Sequence, residues 1–217
     1  MSQNENDEEI FAKTTENKPV EHKRFEKFSV RDIVFLAICA AAALLFSAIM
    51  PLVAHVPVYG LIQVVVSLQT SLFLSLGLYK VRKHGALLFM AICCSIVQVF
   101  MAPVMFFMSL ISAFILEAVF LLFKEGYRHN LIRYLASILF IPLQMPGLWI
   151  YYSFISSTGL PDSYLNQSWW FVLLMVLAVI AINIVGTILG NIIGKELQKA
   201  GVLDGNPKRK KHDKDKK

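Results

Sequence analysis

Charged and apolar positions separate along the chain into long, uninterrupted blocks. From Ile33 to Tyr79 there is no Asp, Glu, Lys or Arg, and from Gly85 to Phe123 the only charged residue is Glu117. About 20 apolar residues carry a helix across a ~30 Å hydrocarbon core, so each block holds more than one span. Pro51, Pro57 and Gly60 interrupt the first block where a helix begun near Ser29 has crossed, giving spans over 33–53 and 58–79. Gly85 to Phe123 as one helix would be roughly 58 Å long, so it folds back at Ala102-Pro103 into spans three and four. Leu131 to about Ser153 and Trp169 to Gly194 supply spans five and six. The pattern predicts an all-α integral membrane protein: a six-transmembrane-helix bundle over residues 29–200, a polar disordered tail over 1–28 and a basic one over 201–217.

Composition agrees. Of 217 residues, 56% are apolar and 17% charged, against about a quarter charged in soluble domains. Mean hydropathy is +0.59. A soluble enzyme or nucleic-acid-binding domain is a poor fit, and nucleic acid is not an expected partner. The 21 Lys and Arg fall in four segments, with six in residues 1–32, three in 80–84, three from Lys124 to Arg133 and nine in 195–217. Six spans put all four on one side, which the positive-inside bias makes cytoplasmic, so both termini are expected inside. No cleaved signal peptide is expected, because 32 polar residues precede the first apolar run.

Cofactor and metal chemistry find little support. Cys39, Cys93 and Cys94 lie within spans without CxxC spacing, and none of the five His has a His or Cys at i+3 or i+4. The segment GNIIGKE, residues 190–196, has three residues between its glycines and Glu after the Lys. A phosphate-cradling loop needs four residues there and Ser or Thr. Instead Gly186, Gly190 and Gly194 recur every four residues on one face of span six, where another helix can approach closely. Ser29 and Asp32 form a capping-box pattern at the start of span one. Ala37 and Ala41, with Ala40, Ala43, Ser47 and Ala48 beside them, make a smooth strip on span one. It suits either packing within the chain or docking of a partner membrane protein.

Candidate binding residues gather toward the outer face. Trp149, Trp169 and Trp170 lie at the outer ends of spans five and six with Tyr151, Tyr152 and Tyr164. An interface belt accounts for them, and so does stacking on a flat heterocycle, cationic or neutral. Tyr59, Gln63, Ser67 and Ser71 share one stripe of span two and face the bundle. Gln98, Gln144 and Asn183 add amides, for which interhelical hydrogen bonds are the plainer role. Glu117 is the only acid inside a span. It sits roughly 10 Å from the cytoplasmic end, so a ligand or coupling role competes with structural pairing.

Six spans with both ends inside, the strip LAICAAAALL on span one and the exit GKELQKAGVL before a basic tail resemble the substrate-binding (S) components of energy-coupling factor (ECF) vitamin transporters. FSVRDIVFLAI, VYG, KVRKHGALL, EAVFLLF and AGVLDG are most similar to the thiamine and hydroxymethylpyrimidine branch, over roughly residues 28–206. The resemblance implies a non-enzymatic subunit of the prokaryotic plasma membrane, without a cofactor. It captures a vitamin or precursor at the outer face and docks through Ala37 and Ala41 on a transmembrane coupling (T) component driven by two separate ATPases. Its pocket would lie in the outer half, between the loop after span one, the loop between spans three and four, and spans four to six. The branch carries acidic residues along span three where this chain has Ala91 and Gln98, which suits a less cationic heterocycle than thiamine. A stand-alone secondary permease is the alternative; it would show broken helices in paired repeats and a midplane carboxylate. An intramembrane enzyme would need a catalytic constellation that the spans do not carry.

Overall fold

The computed structural model describes residues 27–47, 53, 56, 58–101, 103–123, 126–151 and 169–201. Regular structure among these residues is helical throughout. The helices are α1 (Val30–Phe46), α2 (Leu61–Lys80), α3 (Ala86–Met101), α4 (Pro103–Leu121), α5 (Asn130–Leu139), α6 (Gln144–Ile150) and α7 (Trp169–Lys199), with a 3-10 turn at Gly126–Arg128. Four stretches are long and apolar enough to cross a membrane: Leu61–Lys80, Pro103–Leu121, Asn130–Ile150 and Trp169–Lys199. Helices α1 and α3 occupy the places of expected spans one and three with 17 and 16 described residues. Most of the two expected tails lies outside the described residues.

Local chemistry explains where the helices stop. Helix α2 is entered through Gly60, whose φ of 82° lies in the left-handed region that favours glycine. The fold-back falls where the sequence places it, since α3 ends at Met101 and α4 opens on Pro103. A first-position proline needs no N–H partner.

Span five departs from expectation. Rather than one helix, it is α5 and α6 joined by a turn at residues 140–143. Pro142 has no N–H to give the Ile138 carbonyl, so the α-helical ladder breaks there. Shorter bonds bridge the gap, from Gln144 N to Ile141 O (2.9 Å) and from Met145 N to Pro142 O (3.2 Å). The freed Ile138 carbonyl instead accepts the Asn183 side-chain amide at 3.2 Å.

Helix α2 is the hub, touching α1, α3, α5 and α7, while α3 and α4 pair and α4 also holds α6. Its closest approach is to α7, and the glycine stripe produces it. A Cβ on Gly186 would meet the Leu68 carbonyl and Ser71, and one on Gly190 would meet the Leu72 carbonyl and Ser75. On Gly194 it would lie 2.8 Å from the Tyr79 ring. Polar bonds lock this seam: Asn191 Nδ2 donates to Ser75 Oγ at 2.6 Å, and Ser75 Oγ to the Thr187 carbonyl at 3.1 Å. The opposite face of α7, with Leu173, Leu177, Val185, Ile188 and Ile192, is exposed and apolar, as a surface bathed in lipid hydrocarbon must be.

Candidate functional site

The described basic residues of these segments gather at one end of the bundle, here the basic end, where α2, α4 and α7 finish and α1, α3 and α5 begin. At the far end, Tyr59 is buried and its hydroxyl donates to the Met145 carbonyl at 2.7 Å, tying the approach to α2 onto α6. The four-residue stripe continues inward through Gln63, Ser67 and Ser71, all buried, as its spacing on α2 requires. On the last two turns of neighbouring α3, Ser95 is fully buried and Gln98 half-buried. Neither Ser95 Oγ nor Gln98 Oε1 has a hydrogen-bond partner among the described residues. Buried polar atoms are nearly always paired, so these two stand out as groups able to engage a bound polar molecule.

The aromatic residues are arranged differently. Trp149, Trp169 and Trp170 are all exposed, at 45%, 63% and 62%, and the last two stack on each other with centroids 3.9 Å apart. Among the described residues they stand exposed at the far end, as membrane-interface anchors do. Tyr152 and Tyr164 lie outside the described residues. Gln144 is half-buried at the first residue of α6. Asn183 is fully buried, but its amide nitrogen serves the carbonyl that Pro142 frees, which makes it a tie between α7 and α5. An open groove of about 380 Å³ between Val64, Val65 and Leu68 of α2 and Ala181, Ile182 and Val185 of α7 is apolar and holds none of the candidate residues.

Glu117 belongs to the basic end. Its Oε1 accepts the Gly85 backbone N–H at 2.5 Å and its Oε2 accepts the Tyr127 hydroxyl at 2.7 Å. Burial and the Glu117 charge push the Tyr127 phenol well above its ordinary 10.0, so it stays a proton donor. Gly85 follows the C-terminus of α2 and Tyr59 precedes its N-terminus, so Glu117 and Tyr59 are separated by the length of that helix, about 30 Å. The two do not share a site. Asp32 reinforces the same end, accepting the Ser29 N–H at 3.1 Å and pairing with Lys83 at 2.7 Å.

Helix α1 shows two faces. Leu36, Cys39, Ala40 and Ala43 are buried against the bundle, and Gly77 of α2 leaves room for Leu36. Ala37 is half-buried and Ala41 exposed, on a side that continues through the exposed Val34, Ile38 and Leu45. The alanine strip therefore divides between a packed inner row and an open outer one.

Three features escape sequence reasoning. Ser95 and Thr187 read as small residues in apolar runs, yet their hydroxyl oxygens are buried without partners. Arg133 reads as a loop charge, yet it is buried to 3% exposure in the first turns of α5. The signal available for Arg133 is its place in the apolar–polar alternation of NLIRYLASIL, where the buried Ile132, Ala136 and Ser137 share its face.

These features define an all-α integral membrane protein whose outer surface is suited to lipid and to other helices. The chain belongs to the family described as hypothetical bacterial integral membrane protein (Trep_Strep), whose model matches residues 30–200. That match opens on the first residue of α1 and closes just past α7. No curated protein and no solved structure matches the chain.

Proposed function

We propose that this protein is the substrate-capture subunit of an ECF-type importer. It binds a vitamin or vitamin precursor at the far end of the bundle and docks on a transmembrane coupling protein powered by two separate ATPases. The observation that carries this reading is the outer row of α1: Ala41 is exposed and Ala37 half-buried, while Ala40 and Ala43 take up the internal packing. A smooth helix face left open toward lipid is what close helix association uses, since hydrophobicity alone does not drive it there. The basic end then faces the cytoplasm, and the far end with Tyr59, Gln63, Ser95 and Gln98 faces outward. The unpartnered oxygens of Ser95 and Gln98 call for a heterocycle that donates hydrogen bonds.

The break between α5 and α6 favours a second reading, a stand-alone secondary permease, because interrupted helices mark such carriers. Glu117 weighs against it. Its carboxylate is held by the Gly85 N–H and the Tyr127 hydroxyl at the basic end, as a structural tie between α4 and the segments beside it.

Screening the purified protein by mass spectrometry for retained small molecules tests the pocket. Gln98→Ala and Ser95→Ala should each weaken binding of the retained compound by roughly 3- to 10-fold, the value of one hydrogen bond. Unchanged affinity in both variants would place the ligand elsewhere.

A further inference from the structure

Arg133 is a buried cation with no counter-charge among the described residues. Its Nε and Nη1 have no hydrogen-bond partner. Its guanidinium lies 4.7 Å from the Tyr79 ring centroid and 5.9 Å from that of Tyr134. Arg82, exposed in the loop after α2, places a second guanidinium 5.3 Å from the same Tyr79 ring and donates from Nε to the Tyr79 carbonyl at 3.2 Å. Tyr79 itself is fixed from the other side, its hydroxyl donating to Gln198 Oε1 at 2.7 Å. One tyrosine thus carries two like charges within about 10 Å of each other, Arg133 buried and Arg82 exposed, close enough to repel.

Among the described residues no acid neutralises them. The described acids are Asp32, Glu117 and Glu196, and each is engaged elsewhere: with Lys83, with Gly85 and Tyr127, and with Lys199. A desolvated guanidinium held only by ring faces is costly, and cation–π contact recovers part of that cost. Two guanidinium groups with free N–H donors are the geometry that receives the oxygens of a phosphate.

We propose that Arg133 and Arg82 form an oxyanion site for a phosphate group at the basic end of the bundle. The phosphate comes from an anionic lipid headgroup of the adjacent leaflet or from a free phosphate compound; the chemistry of capture is the same. This site lies about a helix length from the candidate vitamin pocket and does not depend on it.

The test uses the full-length protein in nanodiscs of phosphatidylcholine alone, of phosphatidylcholine with inorganic phosphate added, and of phosphatidylcholine with phosphatidylglycerol. At least one phosphate source should raise the thermal unfolding midpoint of the wild type by roughly 5 °C near saturation. A rise with inorganic phosphate assigns a free anion, and a rise only with phosphatidylglycerol assigns the lipid. Arg133→Gln should abolish the rise and Arg82→Gln should at least halve it. Lys195→Gln, which removes an exposed charge at the same end, should leave it intact. If Arg133→Gln does not fold, Arg82→Gln decides, since its side chain is at the surface. The proposal is overturned if neither source shifts the wild type, or if Arg82→Gln responds like Lys195→Gln.

Discussion

Two helices of this protein carry small residues at the same four-residue spacing, and they use them differently. On α7, Gly186, Gly190 and Gly194 are covered by α2, whose Leu68 and Leu72 carbonyls lie where side chains would otherwise be. On α1, Ala41 is exposed and Ala37 half-buried, while their neighbours Ala40 and Ala43 are buried. Spacing alone marks a face as approachable. Whether the approaching helix belongs to the same chain depends on the rest of the fold. The glycine stripe meets a backbone and is further locked by Asn191 and Ser75, whereas the alanine stripe is open at Ala41 and half-covered at Ala37, with a long Cys94 Sγ contact to the Ala40 carbonyl (3.9 Å) beside it.

That contrast is sharpest under substitution. Gly190→Leu should cost roughly 3 kcal/mol or more, because the added side chain meets the backbone of α2 and cannot be relieved by a rotamer change. Loss of monodisperse protein on size exclusion is the expected result, and a well-behaved variant would show that the seam is looser than described. Glu117→Ala should come next, at about 3 kcal/mol, since it strands the Gly85 N–H and the Tyr127 hydroxyl. Its unfolding midpoint should fall by roughly 5 to 10 °C. If the midpoint holds while ligand binding disappears, Glu117 serves the ligand and not the fold.

Asn183→Leu should cost about 1 kcal/mol, in the range of interhelical hydrogen bonds within membranes. Pro142→Ala restores the N–H that the Ile138 carbonyl lacks, so the double variant should lose less than the two single effects added together. Strict additivity would show that Asn183 and Pro142 are not coupled.

The smallest effect concerns Asp32. Burial raises its pKa, but the hydrogen bond from Lys83, the Ser29 amide and the charges of Lys83 and Lys80 outweigh burial and hold it below its ordinary 3.8. A depressed folded pKa contributes stability that is full above 3.8 and is lost as pH falls through the folded value. The difference between wild type and Asp32→Asn should therefore be a few tenths of a kcal/mol at neutral pH and close below pH 3.8. A gap that widens in acid would contradict the pairing.

Much of the helical layout is legible in the sequence because membrane spans are long and charge-free, and because Pro103 and Gly60 stop helices for reasons of their own. The inward stripe Tyr59, Gln63, Ser67, Ser71 is legible for the same reason, being a matter of helical period alone. The break in span five is carried by Pro142, a residue that hydropathy alone passes over. Its partner Asn183 is 45 residues from the carbonyl it serves, so no local pattern announces the bond. The tryptophans show the converse limit, since composition places them at one end of the bundle but only packing decides that they face outward. Arg133 is the clearest case. Counting positive residues assigns it to an end, and the count carries no information about burial.

The most direct test of the proposed function is to purify the tagged protein from its native membrane in mild detergent and identify what accompanies it. The proposal predicts a transmembrane coupling protein and two ATPases with the wild type, and their loss from an Ala37→Trp, Ala41→Trp variant that retains wild-type thermal stability and ligand binding. Absence of those partners from the wild type, with substrate uptake persisting when their ATP hydrolysis is blocked, would contradict it and leave the open face of α1 to lipid.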